Sequence, residues 1–332
     1  MASMRWIAGT GTALAVVVQF AMAPSATAQD MTWKHGTVAP KGDAGVIYMA
    51  AEKGFGKQAG VAISMVALKG DGLLTKALLA GEIDSYEGNP GGPMIAAAKG
   101  ADIKVIGCPW PGLPYAIYTK PDVKTLADLK GKAIAVSDPG SLPDLFARAA
   151  IRSAGLDPNK DVQYVRAGGD ADRMKALAAG VVAAAPSSSE FAIKAPQLGL
   201  KLLVHAKDVT PDYVRSCIIT TGKTLAAKRP AAVAFMAAEM KALAFAMANE
   251  SETLALSNRL TGAKADDPNA KAIYDEAKAD ALVDPTLNVD PKKLVYLRDL
   301  LADGGLIARG YDHVKMIDAS VRTDAMKLTG GK

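Results

Sequence analysis

Cysteine, histidine and aromatic side chains are scarce in this chain. Its 332 residues hold two cysteines, three histidines and only 5% Phe, Trp and Tyr. Cys108 and Cys217 lie 109 positions apart and make no disulfide framework, so buried free thiols are the expected state. His35, His205 and His313 are equally scattered, and the cysteines are remote from them, so no metal or cofactor is expected. No HExxH, CxxC, GxSxG or phosphate-loop glycine pattern occurs. There is also no dense basic run with interleaved aromatics. Nucleic acid is therefore not an expected partner, although the formal net charge is +5. A mild positive balance is compatible with an anionic ligand.

What the chain does have is apolar residues, 50% of the total, with much Ala and Gly. That suits a helix-rich α/β protein, and the length allows two domains with real cores. The N-terminus has the form of an export leader. Arg5 supplies a positive start, Trp6 to Ala23 a mostly apolar core, and Ala26-Thr27-Ala28 a small-x-small cleavage signal. Residues 1–28 are read as a signal peptide cut near Ala28-Gln29, leaving a soluble periplasmic protein. The apolar core is too short to read as a membrane span.

The most informative stretch is Lys132 to Gly155, KAIAVSDPGSLPDLFARAAIRSAG. It reads as a short strand, a sharp break at Asp138-Pro139-Gly140, then a helix with Ser141 as N-cap and Asp144 three residues on. A helix that starts at a glycine turn beyond a strand offers backbone N–H groups to an anion. The plain alternative is an ordinary capped helix.

The same order of elements occurs twice. Strands are read at Trp33 to Val38, Val61 to Leu68, Gly81 to Ser85 and Ala101 to Gly107, then again at Ala133 to Val136, Asp161 to Val165, Gly180 to Ala184 and Leu200 to Val204. Gly70-Asp71, Gly81 and Gly100 each recur 99 residues later, at Gly169-Asp170, Gly180 and Gly199. A repeat of this size means two similar lobes. Alternating strands and helices predict mixed, mostly parallel sheets, with ligands beyond the C-terminal strand ends. Tyr115 to Thr119 and Tyr213 to Thr221 read as two connecting strands at a hinge. Residues 29–118 and 222–332 form lobe one, and residues 119–221 lobe two. The segment after Gly222 is helical and is expected to pack back on lobe one.

These stretches resemble the periplasmic solute-binding proteins of ABC importers for nitrate, taurine and alkanesulfonates. The matching residues are YMAAEKGFGKQAGVAISMV (Tyr48 to Val66), ALLAGEIDS (Ala77 to Ser85) and AAAKGADIKVIG (Ala96 to Gly107) in lobe one. In lobe two they are LADLKGKAIAV (Leu126 to Val136), AGLDPNKDVQYV (Ala154 to Val165) and RMKALAAGVV (Arg173 to Val182). The resemblance implies a two-lobe, type II-like periplasmic-binding-protein fold, and a monomer that hands its ligand to a membrane permease. One departure stands out: Ala183-Ala184 replace the Asp–Ala that the family usually carries in lobe two, so no polar anchor is expected from that strand.

The post-strand loops supply the candidate ligand-binding residues. In lobe one these are Lys41, Asp71, Gly88, Asn89 and Trp110. In lobe two they are Gly140, Ser141, Arg166, Ser187 and Ser188. Lys41 and Arg166 would meet an anion, with Arg166 the expected buried cation. Asn89 and the glycines of Gly88 to Pro93 offer amide donors, and the serines hydroxyls. Trp110, between two prolines, is a rigid apolar plate. Each has a plainer reading: a solvated lysine for Lys41, a helix cap for Asp71, hinge packing for Trp110, solubilising loop residues for the serines. Arg173 is read as a brace, and Arg215 as reaching either the cleft floor or an acid. The expected function is capture of a small sulfonate or carboxylate by lobe closure, without catalysis. The alternatives are a binder or enzyme of the thiamine-pyrimidine type, or a module feeding a sensor.

Overall fold

The computed structural model describes residues 1–2 and 31–330. Apart from its first two residues, the leader and its cleavage point lie outside the described residues. Ten strands are present among them: β1 (Met31–Val38), β2 (Val61–Leu68), β3 (Ser85–Gly88), β4 (Lys104–Trp110), β5 (Tyr115–Thr119), β6 (Ala133–Val136), β7 (Gln163–Arg166), β8 (Ala184–Ser188), β9 (Lys201–His205) and β10 (Ser216–Thr220).

They form two five-stranded sheets, ordered β2-β1-β3-β10-β4 and β7-β6-β8-β5-β9. β1 is parallel to β2 and β3, whereas β10 is antiparallel to β3 and β4. The second sheet repeats this pattern, with β5 as the reversed strand. Each sheet thus has four strands running together and one running against them. β5 lies wholly in the second sheet and β10 wholly in the first, so the chain crosses between sheets after Trp110 and again before Ser216. One apolar cluster continues through both crossings, with Cys108, Leu113, Tyr115, Phe146, Tyr213 and Leu297 among its members.

The two crossings lie side by side, and this overturns the expectation of free thiols. Cys108 on β4 and Cys217 on β10 are joined in a disulfide, and no free cysteine is found among the described residues. The strand register shifts between Ser216 and Ile218, which brings the two sulfurs opposite each other. Sequence separation conceals this, because the partner of the exit strand is the return strand.

The strands expected at Gly81 to Ser85 and Gly180 to Ala184 both begin at the last residue of the expected run. Gly81 and Gly180 have φ of 76° and 74°, a left-handed backbone that ends the preceding helices instead of starting a strand. Consequently Tyr86 to Gly88 and Ala185 to Ser188, read as loops, are strand, and Gly91–Ala98 is already helix.

The long helix Gly222–Ala248 is apolar enough to span a membrane by length and composition, but 67% of its most apolar window is buried inside the fold. Its Phe235 stacks on Trp33 of β1 at 5.6 Å between ring centroids. The helices after it do not brace lobe one alone. Lys207 bonds Asp280 at 2.8 Å, Arg152 bonds Asp303 at 2.6 Å, and the Ser189 hydroxyl bonds Glu276, so the tail also holds the second sheet's elements.

Candidate functional site

The C-terminal ends of the parallel strands in the two sheets face each other, and the helices that follow them meet there. Gly140 has φ of 78° and starts the turn into helix Leu142–Ser153. Its carbonyl packs on Gly91, the first residue of helix Gly91–Ala98. A methyl group on Gly91 would meet Gly140 O at 2.6 Å, so only glycine permits this approach between lobes. Ser141 occupies the N-cap position, but its hydroxyl makes no capping bond. Asp144 does that work, accepting from Gly140 N–H at 2.8 Å and from Arg148 Nε at 2.9 Å. The Ser141 Oγ is left buried and without a partner.

Ser187 and Ser188 end β8 and point to opposite faces of it. Ser187 Oγ donates weakly to Asp170 O at 3.4 Å. Ser188 lies opposite Tyr115 in the antiparallel register, and its hydroxyl is also buried and unpartnered.

On the facing side, Trp110 is fully buried at the end of β4. The Arg215 guanidinium stacks on its ring at 4.1 Å, a cation–π arrangement. Arg215 also pairs with the buried Asp43. Burial works against the charge on Arg215, but Asp43 and Glu87 outweigh it and raise its pKa. Two donor-only groups remain without acceptors here: Arg215 Nη1 and Trp110 Nε1. Arg215 and Arg173 are the buried arginines of this region, and Arg166, expected as the buried cation, is not one of them. Arg166 ends β7 at the edge of the second sheet, where its side chain is 68% exposed and lies 3.7 Å from Asp138.

Asn89 is fully occupied within lobe one and the hinge. Its Nδ2 lies 3.0 Å from Tyr213 OH, 3.3 Å from Val214 O and 3.2 Å from Arg215 O. Its Oδ1 accepts from Gly91 N–H at 3.0 Å. Gly88 beside it has no side chain to block the Asp71 carboxyl, which a methyl group there would strike. Asp71 is the first residue of helix Asp71–Ala80, with Gly70 at the N-cap position, so it is not the cap itself.

Lys41 crosses the cleft and bonds Asp170 at 3.2 Å. Asp170 also accepts from Tyr115 OH and Arg173 Nη2. Burial would raise the Asp170 pKa, but Lys41 and Arg173 hold it far below the usual carboxylate range. Arg173 is a brace, as read, bonding Pro186 O at 2.8 Å and Ser137 Oγ at 2.8 Å. Three further carboxyls sit near this network. Burial pushes Asp71 up to about 6 and Glu87 and Glu190 up to about 7. Sequence reasoning placed Asp43 and Glu87 in the post-strand segments lining the cleft without giving either a role, and read Glu190 only as the start of a helix. The only signal for them was position, directly after or at the end of a strand.

This geometry, helix starts opposed across a cleft between two duplicated sheets, accords with the matching family model, NMT1/THI5 like, which covers residues 42–253. The chain belongs to the NMT1/THI5-like family. No curated protein sequence is significantly similar to this member of it. Solved structures share its fold at low identity. The periplasmic aliphatic sulphonate binding protein SsuA from Escherichia coli superposes with a TM-score of 0.70 at 22% identity, over 86% of this chain and 92% of that one. The alkanesulfonate-binding protein SsuA from Xanthomonas axonopodis pv. citri, bound to MOPS, gives 0.71 at 18%, over 86% and 98%. The periplasmic nitrate-binding protein NrtA from Synechocystis PCC 6803 gives 0.73 at 15%, over 90% and 89%. This NMT1/THI5-like chain therefore has the periplasmic-binding-protein fold expected from its sequence.

Proposed function

We propose that the protein is the exported solute-binding component of an ABC importer, and that its two lobes close on a small organic acid and present it to a membrane permease. The observation that carries this reading is the pair of buried, acceptor-less donors Arg215 Nη1 and Trp110 Nε1. A buried donor without a partner costs about 1–3 kcal/mol, more if charged, so a carboxylate or sulfonate oxygen placed there recovers that cost. Ser141 Oγ and Ser188 Oγ supply unpartnered hydroxyls from the second sheet. A ligand touching both sides has higher affinity for the closed arrangement and shifts the lobes toward it. The lobes follow the two sheets, with the hinge at the paired crossings. Among the candidates, Trp110, Ser141 and Ser188 offer groups to the ligand. Gly88 and Gly140 make room, Lys41 and Asp71 set the charge around it, Asn89 holds the hinge and Ser187 backs β8. Arg166, exposed at a sheet edge, falls outside the site.

Thermal-shift screening of the mature protein against carboxylates, sulfonates, nitrate and pyrimidines tests this reading. A ligand at about 100 times its Kd stabilises by roughly 2.7 kcal/mol, which is an easily measured rise in melting temperature. Stabilisation by carboxylates or sulfonates supports the reading. Stabilisation by pyrimidines alone, or by nothing in the set, rejects it.

A further inference from the structure

The two sheets repeat one pattern, so each shows what the other lacks. Lys34, His35, Asp84 and Ser85 of the first recur 99 residues later as Ala133, Ile134, Ala183 and Ala184 of the second. The pairing recurs with them: His35 faces Ser85, and Ile134 faces Ala184. Asp84 N–H donates to Lys34 O at 2.9 Å, and Ala183 N–H to Ala133 O at 2.8 Å. The side chains then differ. The Asp84 carboxylate accepts from Lys34 N–H at 2.9 Å and from Lys228 Nζ at 2.7 Å, and its carbonyl accepts from the Thr220 hydroxyl at 2.6 Å. Ala183 has no carboxylate to offer. Ala133 N–H points to the same side of β6 as its carbonyl, toward Ala183. Thr119 ends the reversed strand β5 as Thr220 ends β10, and it is fully buried with its hydroxyl unpartnered.

Where the missing side chain would stand there is a cavity of about 290 Å³, lined in part by Ala133 and Ala183. Ala133 starts β6 and Ala183 precedes β8, so the cavity is at the opposite end of the second sheet from the cleft. Lys120 and Lys132 are in its wall, with no ion-pair partner among the described residues. Lys120 lies across Gly180, its Nζ 3.0 Å from where a methyl group on that glycine would be. We propose that this cavity is a binding site separate from the cleft, and that it takes a short aliphatic carboxylate whose acid group fills the place that Asp84 fills in the first sheet. Ala133 N–H and the two ammonium groups hold the carboxylate, as Lys34 N–H and Lys228 hold Asp84. Val123, Val181 and Val182 cover the hydrocarbon chain, and Val181, 64% exposed, loses most solvent contact by doing so. Asp122, also in the wall, offsets one ammonium charge and disfavours a dianion. Both lysines are exposed, so the ion pairs are weak and a Kd of about 1 mM is expected.

Proton–nitrogen correlation spectra of the mature protein, titrated with butyrate, report this site and the cleft separately. The expected result is saturable shifts at the Ala133, Val181, Val182 and Ala183 amides. 1-Butanol, the same chain without the charge, is expected to bind there about tenfold more weakly or worse. Ala183→Asp supplies the absent carboxylate from the chain itself. It is expected to raise the melting temperature and to weaken butyrate at these amides by about tenfold or more. Lys120→Met combined with Lys132→Met is the second variant should Ala183→Asp fail to fold, and it too is expected to remove the shifts. Shifts at Ser141 and Ser188 belong to the cleft and are expected to be the same in both variants as in the parent. No saturable shift at the four amides overturns the proposal. So do shifts there that survive both variants, or that 1-butanol or inorganic phosphate reproduces with equal affinity. None of these outcomes bears on the acid-binding cleft, which stands or falls by its own ligand screen.

Discussion

Trp110 lies as a plate under the Arg215 guanidinium, and the proposed function gives it a second, separable role as a ligand donor through its unpartnered Nε1. Trp110→Phe keeps the plate and removes the donor. It is expected to weaken ligand binding by about tenfold, one hydrogen bond to a charged group, with little change in melting temperature. Calorimetric affinity and a thermal melt on the same sample check this, and unchanged affinity would remove Nε1 from the ligand's partners. Arg215 itself is a poorer probe, because its loss strands Asp43 as a buried charge at a cost of about 3–5 kcal/mol. The residue scale is also where the sequence was least legible. Trp110, Ser141 and Ser188 stood out because few residue types occur between prolines, after a Pro-Gly turn, or in a serine run. Arg166 misled because a strand end reads the same at a sheet's edge as at its centre. Arg215 was left open because its neighbours Trp110 and Asp43 come from distant parts of the chain.

At the scale of elements, the paired crossing strands β4 and β10 are the joint on which both lobes depend, and the Cys108–Cys217 disulfide ties them. Closing a loop of about 100 residues is worth roughly 4–5 kcal/mol in the chain-entropy view. Reduction under conditions that reach the buried sulfurs, or the double change Cys108→Ala and Cys217→Ala, is expected to lower the melting temperature by several degrees or more. An unchanged melt would show that strand pairing alone holds the joint. The helix Gly222–Ala248 carries an opposite liability in Glu239. Burial first, and the nearby Glu87 second, raise its pKa well above the ordinary carboxyl value. The native state therefore keeps a proton that the unfolded chain has already lost. Stability from this group is complete below the unfolded pKa near 4.3 and drains away as pH rises above it. Glu239→Gln is expected to raise the melting temperature, by more at pH 8 than at pH 5. A gain that is flat with pH would place the benefit in packing instead. The duplicated order of elements was legible from the 99-residue glycine spacing, since positive-φ positions tolerate little besides glycine. The strand starts were not, because a helix-ending glycine and a strand-starting glycine look alike in one sequence.

For the whole molecule, the question is what holds the two halves together. Lys41–Asp170 at 3.2 Å and Gly42 N–H to Glu190 at 3.1 Å both join the first sheet's loops to the second sheet's. The Lys41 and Asp170 side chains are only 22% and 19% exposed, so solvent screens the pair incompletely. On the proposed function, its worth is set against the freedom of an open hinge, so that closure is an equilibrium that the ligand tips and not one it must create. Lys41→Met removes the charge and keeps the length of the side chain. Without ligand, this variant is expected to show a larger radius of gyration by small-angle scattering than the parent protein. Ligand is expected to bring the two to the same value. Its affinity is expected to fall a few-fold, because a binding-competent state with a smaller starting population taxes the apparent Kd by that fraction. Asp170 keeps Arg173 and Tyr115 in the variant, so the fold of the second sheet has no reason to change. A scattering profile that does not move would mean that the apolar cluster through the hinge, and the tail contacts at Glu276, Asp280 and Asp303, already fix the lobes, and that Lys41 serves only to hold Asp170 ionised.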